Sequence, residues 1–323
     1  MRYTAVIRTL GRAGEKYQIL LNSLVNQSIL PSAIYVYIPD GYPIPKETVG
    51  CEKYIYVRKG MVAQRALQYD DVVTDYILFL DDDLYIPYDG VEKMFSQLEK
   101  NNADVISPDV FPNSQRPFMA ELLMTVSGRI RARRNDDFWG YKVMRTSGFS
   151  YNKNPLKSVY WSQANAGPCF LCRKDVFLDA NFQDELWLDK MAYPLGEDEV
   201  LYYKMYKLGY RQLTLYNSGI IHLDAGTSRI DAEKTNRITY SDFYFKTVFW
   251  HRFIYLPERT FLLRIYDILC IVYALSFTLI VSTIKLNFSI VMIKSKAIIN
   301  AIKFIRSKEY KNLPLIPNLE KKY

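Results

Sequence analysis

Tyr76-Ile77-Leu78-Phe79-Leu80 runs without a polar break into Asp81-Asp82-Asp83. A continuous apolar run bounded by polar residues suits a strand buried on both faces, as in a parallel sheet covered by helices. The carboxylates then fall at the carboxyl end of that strand, where open α/β sheets hold ligands. Three adjacent acids repel one another, and a divalent cation with oxygen ligands is the simplest compensation. A solvated turn after a strand is the other reading, and this stretch alone leaves both open.

The chain around it has the rhythm of a parallel sheet. Tyr3 to Thr9 is β-rich and ends in the loop Leu10 to Gly14, and Glu15 to Gln27 repeats Ile19, Leu20, Leu24 and Val25 at helical spacing. Ala33 to Ile38 and Tyr54 to Val57 read as further strands, and Met61 to Tyr69 reads as a helix. Strand–helix–strand occurs twice before Asp83, which predicts crossover helices on a parallel sheet. Right-handed crossovers bring the loop ends to one edge. Beyond it come a helix over Tyr88 to Lys100 and a short strand over Asp104 to Ser107.

From Pro112 to Pro155 the pattern breaks down around Arg129-Ile130-Arg131-Ala132-Arg133-Arg134. That basic stretch is either a solvated helix face or an acceptor loop whose arginines hold phosphate through their planar forks. Val159 to Leu171 is strand-like around Gly167-Pro168, and Asp175 to Leu178 starts a helix. Gly196-Glu197-Asp198-Glu199-Val200 opens a helix to about Leu208, ended by Gly209. Acids in a first turn are favoured by the helix dipole in any case. Arg211 to Leu215 and Gly219 to His222 read as strands.

With 323 residues, 49% of them hydrophobic, the chain buries a substantial core and is long for one domain. Its net charge is +8. From Lys285 onward nine Lys and Arg stand against Glu309 and Glu320, a surplus of +7, so the rest is nearly neutral. A basic tail beside an apolar segment points to anionic lipid before nucleic acid. Nucleic-acid binding would want basic and aromatic residues interleaved on the sheet, and no nucleic-acid partner is expected. Four cysteines make no disulfide framework. Cys169 and Cys172 sit three apart in a strand and point to opposite faces, with no second pair for zinc. Reduced, structural cysteines suit the cytosol, and Met1 to Leu10 has no signal-peptide pattern.

Ile268 to Ile284 is a stretch of 17 residues without a charge, at the lower edge of what a spanning helix needs. Phe288 to Ile293 is apolar again, and Ile298, Ile302 and Ile305 recur among Lys303, Arg306 and Lys308 as in a basic amphipathic helix at a membrane interface. A single crossing would put the +7 tail outside, against the positive-inside tendency. A hairpin, a re-entrant segment or an interfacial helix pair keeps both flanks on one side. A soluble helical lid and a homodimer contact are the other uses for this segment. His251, among aromatics, reads as packing.

The order of motifs over about Tyr3 to Leu223 resembles the family 2 glycosyltransferases, which have the GT-A fold. Val6-Ile7-Arg8-Thr9 looks like the opening strand, where the family usually has Pro before Thr, and Ser23-Leu24-Val25-Asn26-Gln27 looks like the first helix. Tyr37-Ile38-Pro39-Asp40-Gly41 is similar to the Val-Asp-Asp-Gly turn, and Gly60 with Gln64-Arg65-Ala66 to the Gly…Ala-Arg-Asn segment, without its Asn. Asp81-Asp82-Asp83 falls on the DxD motif and Gly196-Glu197-Asp198 on the Glu-Asp motif.

The resemblance implies an α/β GT-A fold, a mostly parallel, Rossmann-like sheet flanked by helices, with C-terminal membrane-associating helices added. It implies a metal-dependent transferase moving a sugar from a nucleotide-diphosphate sugar to an acceptor hydroxyl with inversion. Thr9, Asp40, Arg65, Asp81 and Asp82 would bind the nucleotide sugar, Asp40 at the base and Asp81 at the ribose or sugar. Asp83 would hold Mn2+ or Mg2+, with His222 as a late-strand ligand and Asp224 as a weaker rival. Asp198 would be the general base, and Glu197 would touch the acceptor sugar. Residues 1–250 would be the catalytic domain, nucleotide-binding to about 110 and acceptor-binding from 111, and 251–323 a helical region. The membrane segment alone suggests a lipid-linked saccharide acceptor, as in surface polysaccharide assembly, on the cytoplasmic face. A nucleotidyltransferase, or an inactive transferase-like module on a membrane, are the rival functions.

Overall fold

The structure is a computed structural model that describes residues 2–110, 117–131, 138–224 and 231–319. The first half alternates as the apolar runs predict: β1 (Tyr3–Arg8), α1 (Glu15–Val25), β2 (Ile34–Pro39), β3 (Glu52–Val57), β4 (Tyr76–Asp81), β5 (Leu84–Tyr85), α2 (Gly90–Asn101) and β6 (Val105–Pro108). The second half supplies α3 (Phe118–Val126), β7 (Tyr141–Val143), β8 (Phe149–Tyr151), β9 (Val159–Trp161), β10 (Cys169–Arg173), α4 (Lys174–Asp179), α5 (Glu197–Lys207), β11 (Gln212–Leu215) and β12 (Ile221–His222). Four helices end the chain: α6 (Ala232–Phe249), α7 (Phe261–Ile284), α8 (Phe288–Arg306) and α9 (Lys308–Lys311).

Eight strands form one sheet in the order β3-β2-β1-β4-β10-β6-β11-β9. β3, β2, β1 and β4 are parallel, β10 runs against β4 and β6, and β9 runs against β11. This is the mostly parallel α/β sheet flanked by helices that the GT-A expectation requires. Side chains alternate between two cores, as a strand's period of two demands. Val6, Ile77, Phe79 and Phe170 join the core under α5 and the end of α6, whereas Ile7, Leu78, Leu80 and Leu171 join the core under α1 and α2. Cys169 and Cys172 fall in opposite cores, both fully buried, and burial pushes both thiols up.

Three sequence expectations change. Residues 61–69 are a chain of turns, not a helix. The N–H groups of Val62 and Ala63 donate to the Asp189 carboxylate at 2.7 and 3.1 Å, and Tyr69 turns left-handed (φ 52°). A Cβ on Gly60 would lie 2.3 Å from Asp189 Oδ2, so that close approach requires glycine. The strand-like run from Val159 to Leu171 is two strands, β9 and β10. Pro168 between them has no N–H for a ladder, and its carbonyl accepts from Asp81 N at 2.8 Å. The described part of the basic stretch, residues 129–131, is not a solvated helix face, since Arg131 is buried and donates to the Trp139 and Gly140 carbonyls. Arg133 and Arg134 lie outside the described residues.

The C-terminal helices are tied to the body. α8 packs along α6 through the fully buried Ala297 and Ala301, while Ile302 of the anticipated apolar stripe stays exposed. His251 packs as expected: its Nδ1 is 2.7 Å from Tyr310 Oη, and burial pushes the imidazole down to about 4. A π-helical stretch, Trp250–Tyr255, leads out of α6 and carries Arg252 into a buried cluster. There the guanidinium donates twice to Glu185, at 2.7 and 2.8 Å, and Lys204 lies 3.2 Å from the same carboxylate.

Burial pushes the Glu185 carboxyl up, but Arg252 and Lys204 outweigh it and hold the group below its ordinary value. A depressed folded value contributes stability above the unfolded pKa and loses it as pH falls through the folded one. Arg252→Ala takes away the bidentate partner of a buried carboxylate and leaves it to Lys204 and the Trp187 N–H. We expect it to cost about 3–5 kcal/mol at neutral pH in urea unfolding, with the deficit shrinking as pH drops below the carboxylate range. An unchanged midpoint at neutral pH contradicts that account.

Candidate active site

The site begins with strand register. β1 and β4 pair in parallel with Arg8 opposite Asp81. Neighbours across a ladder share a face, and the following pair takes the other. Arg8 therefore meets Asp81, with Nε 2.6 Å from Oδ1, while the Thr9 hydroxyl donates to Asp82. Thr9 Oγ1 also accepts from Gly11 N at 2.9 Å, which closes the loop over this edge. β12 pairs antiparallel with β5, placing His222 opposite Leu84. Leu223 N donates to the Asp83 carbonyl at 2.8 Å, and His222 Nε2 lies 3.2 Å from Asp83 Oδ1.

Two arginines then gather carboxylates from distant segments. Arg8 Nη1 lies 2.6 Å from Glu197 Oε1 at the start of α5. Arg65 Nη1 donates to Asp198 Oδ1 at 2.9 Å and lies 3.5 Å from Glu197 Oε1, and its Nη2 donates to the Gly167 carbonyl at 3.1 Å. Arg65 is 3% exposed and lies over the Phe170 ring, so this geometry is fixed by packing. Gly167 is obligatory: a Cβ there would sit 1.7 Å from Asp198 Oδ1. Arg8, Thr9, Lys59, the three aspartates, Glu197 and His222 line one cleft of about 630 Å³.

Burial sets the electrostatics. It pushes the Glu197 carboxyl up to about 7 against the pull of Arg8 and Arg65, and Oε2 has no hydrogen-bond partner among the described residues. Asp82 is pushed up to about 6 by burial. Burial lowers the His222 imidazole, but the hydrogen bond and charge of Asp83 outweigh it and raise it. Among the described residues no group of three or more His, Cys, Asp or Glu is assembled as a metal cage. Asp83 and His222 nonetheless offer a carboxylate oxygen and an imidazole nitrogen at one point of the cleft, a donor set that suits Mn2+ or Mg2+ if a ligand supplies the remaining oxygens.

Thr9, Asp81, Asp82, Asp83, Glu197 and His222 thus line one cleft at the sheet edge, and Arg65 and Asp198 adjoin it through the ion pairs of Arg65 with Asp81, Glu197 and Asp198 without lining it. Asp40 does neither: it is exposed at the end of β2 and outside the cleft lining. Asp224 lines the cleft in an ion pair with Lys16. The sequence reading missed Arg8 and Asp189. Arg8 had a visible signal, a charge at the last position of an otherwise apolar strand. Asp189 had none, because its partners are backbone N–H groups far away in sequence.

The chain is thus an α/β protein whose mostly parallel sheet gathers carboxylates at one strand end. Residues 53–178 match the family model of glycosyl transferase family 2. No curated protein sequence matches the chain. Similar solved structures include GalNAc-T7 with UDP, GalNAc and Mn2+, at a TM-score of 0.49 and 12% identity, covering 86% of this chain and 55% of that one. The chain thus spans about half the length of that relative. TarS 1-349 of S. aureus has a TM-score of 0.48 and 13% identity, covering 86% and 71%. The same protein in complex with UDP-GlcNAc gives 0.47 and 12%, covering 95% and 81%.

A carboxyl raised above its unfolded value binds its proton more tightly in the folded state, so stability falls as pH climbs from the ordinary value toward the folded one. Glu197→Gln removes that slope. We expect the variant to match the parent in acid and to exceed it above pH 7 by on the order of 1–3 kcal/mol in urea unfolding. Equal stability at both ends of the range would mean that Glu197 carries no such cost.

Proposed function

We propose that the protein is an inverting glycosyltransferase that moves a sugar from a nucleoside-diphosphate donor to an acceptor hydroxyl. The observation that carries this is the meeting, across Arg8 and Arg65, of the Asp81–Asp83 strand end with Glu197 and Asp198. A donor-side and an acceptor-side carboxylate in one place are what a single displacement at an anomeric carbon needs. Asp83 and His222 would hold Mn2+ or Mg2+, which supplies Lewis acidity to a leaving diphosphate. Asp81, steadied by Arg8, orients the donor, and Thr9 holds Asp82 at the cleft wall. Asp198, oriented by Arg65, takes the proton of the acceptor hydroxyl as its oxygen bonds to the anomeric carbon and the bond to the diphosphate oxygen breaks. Glu197 lies between the two arginines and reaches the acceptor sugar. Asp40, at the rim, would contact the base only once a nucleotide extends that far.

The catalytic part is residues 1–250, nucleotide-binding to about 110, and the helices of 251–323 are its membrane attachment. α7 is 24 residues long and apolar enough to cross a bilayer, with 28% of its most apolar window buried. Its seventh residue, Asp267, is fully buried and gripped by Arg145 at 2.6 and 2.7 Å. That pair holds the start of α7 to the body. The uncharged remainder reaches about 26 Å at 1.5 Å per residue, short of the roughly 30 Å hydrocarbon core. α8 then turns back and packs on α6. A hairpin lying on the cytoplasmic face, with a lipid-linked saccharide of surface polysaccharide assembly as acceptor, fits this arrangement.

Thermal unfolding with a panel of nucleoside diphosphates, with and without Mn2+, checks the reading. One nucleotide should raise the midpoint only with metal, and Asp83→Ala should abolish the rise. Asp198→Asn should keep nucleotide binding and lower kcat roughly 10²–10⁴-fold. If no nucleotide binds under either condition, the transferase assignment fails.

A further inference from the structure

A second cavity, of about 530 Å³, lies on the other side of the Pro194–Glu199 segment, between α3, α6 and α8. Leu195, Gly196 and Glu199 belong to its wall, whereas Pro194 and Glu197 belong to the first cleft. Three cations line it. Arg129 and Lys246 share Asp242, each at 2.9 Å. Lys294 has no carboxylate partner among the described residues; it donates to Ser282 Oγ at 2.8 Å and lies over the Phe243 ring. Burial pushes its ammonium down, Arg129, Lys246 and Lys285 add to the effect, and the charge of Asp242 offsets part of it. An anion placed there relieves both costs. Glu199 is 4% exposed, and its Oε1 has no hydrogen-bond partner among the described residues.

The cavity continues outward. Met124, Arg129 and Lys294 also line a groove of about 190 Å³ between α3 and the α7–α8 pair. That groove opens on the most apolar exterior of the molecule. α3 buries none of its nine residues; Phe118 and Met119 are 78% and 61% exposed. It is held beside α7 by Tyr273 Oη, which donates to the Val126 carbonyl at 2.8 Å. Exposed Leu269, Val272 and Ile280 extend the same surface along α7. A groove that is apolar at its mouth and cationic at its inner end, with a buried acceptor oxygen beyond, matches an amphiphile with an anionic joint and a hydroxyl-rich end.

We propose that groove and cavity are one binding site for a glycolipid phosphate. The lipid chain lies between α3 and α7, the phosphate sits on Lys294 and Arg129, and a sugar hydroxyl donates to Glu199 beside the first turn of α5. Arg129, one of the arginines of the basic stretch, thereby acquires the phosphate role. That the bound sugar is a glycosyl acceptor rests on the transferase reading; the site itself does not.

Farnesyl phosphate is the probe, titrated into the full chain by calorimetry in detergent, with farnesol and inorganic phosphate as controls. Farnesyl phosphate should bind, and each control should bind at least roughly tenfold more weakly. Lys294→Gln and Arg129→Gln should each lose roughly tenfold in affinity, and Lys294→Arg should retain most of it. Equal binding of inorganic phosphate would reduce the site to a free-phosphate pocket, and equal binding of farnesol to a greasy surface; either overturns the proposal. So does unchanged affinity in both Gln variants. Nucleoside-diphosphate binding, read by thermal shift on the same samples, separates the two ideas. Its loss from the parent protein with farnesyl phosphate still bound sinks the transferase reading alone.

Discussion

Two arginines, Arg8 and Arg65, hold Asp81, Glu197 and Asp198 together at the carboxyl edge of the sheet. The arrangement is expensive in itself. Like charges from β4 and α5 are brought to one place in a partly dry setting, and burial drives Glu197 up to about 7. Without the guanidinium groups the carboxylates would have to protonate or move apart. Both arginines are fixed by backbone decisions taken elsewhere. Arg8 is placed by the β1–β4 register, and Arg65 by a turn that exists because Asp189 captures its first N–H groups. Gly60 and Gly167 let carboxylates approach the backbone where any side chain would block them.

The same segment that brings Glu197 into the first cleft brings Glu199 into the second cavity. Residues 194–199 therefore form a wall between two cavities. One side is polar and belongs to the sheet edge; the other is amphipathic and belongs to the helices. α6 and α8 wall the second side, and Ala297 and Ala301 let α8 come close enough to do so. The C-terminal helices are thus part of how the second cavity is built as well as a candidate attachment to a bilayer. Their anchors are the buried pair Arg252–Glu185 and the buried Asp267 held by the exposed Arg145, which set where the apolar face points.

Much of this was legible before any coordinates. Uninterrupted apolar runs marked β1, β2 and β4 because strands covered on both faces need no alternation. The opposite burial of Cys169 and Cys172 followed from strand periodicity. Asp83 and His222 were expected together only through the family resemblance, and the structure sets them 3.2 Å apart. Other features carried no local mark. Residues 61–69 have helical spacing, yet tertiary capture by Asp189 overrides it. α3 lies in a stretch that looked irregular because its apolar residues face outward and show no buried stripe. α8 has an isoleucine stripe, but its fully buried residues are Ala297 and Ala301; of the stripe, Ile305 packs partly buried against the core and Ile302 stays exposed.

Sequence by itself determined the strand and helix order, the position of the carboxylates at a strand end, and an apolar, basic C-terminus, because these depend on residue type and period alone. Only the tertiary structure decided which charges meet. Asp81 and Asp198 become neighbours through Arg65 because strand order, the reversal at β10 and the α5 N-terminus superpose distant segments. Nor does local pattern reveal which basic residues gather at one site. Arg129 and Lys294 come from different halves of the chain, and only packing of α8 beside α6 sets them at one cavity, where long-range contact rather than propensity governs charge.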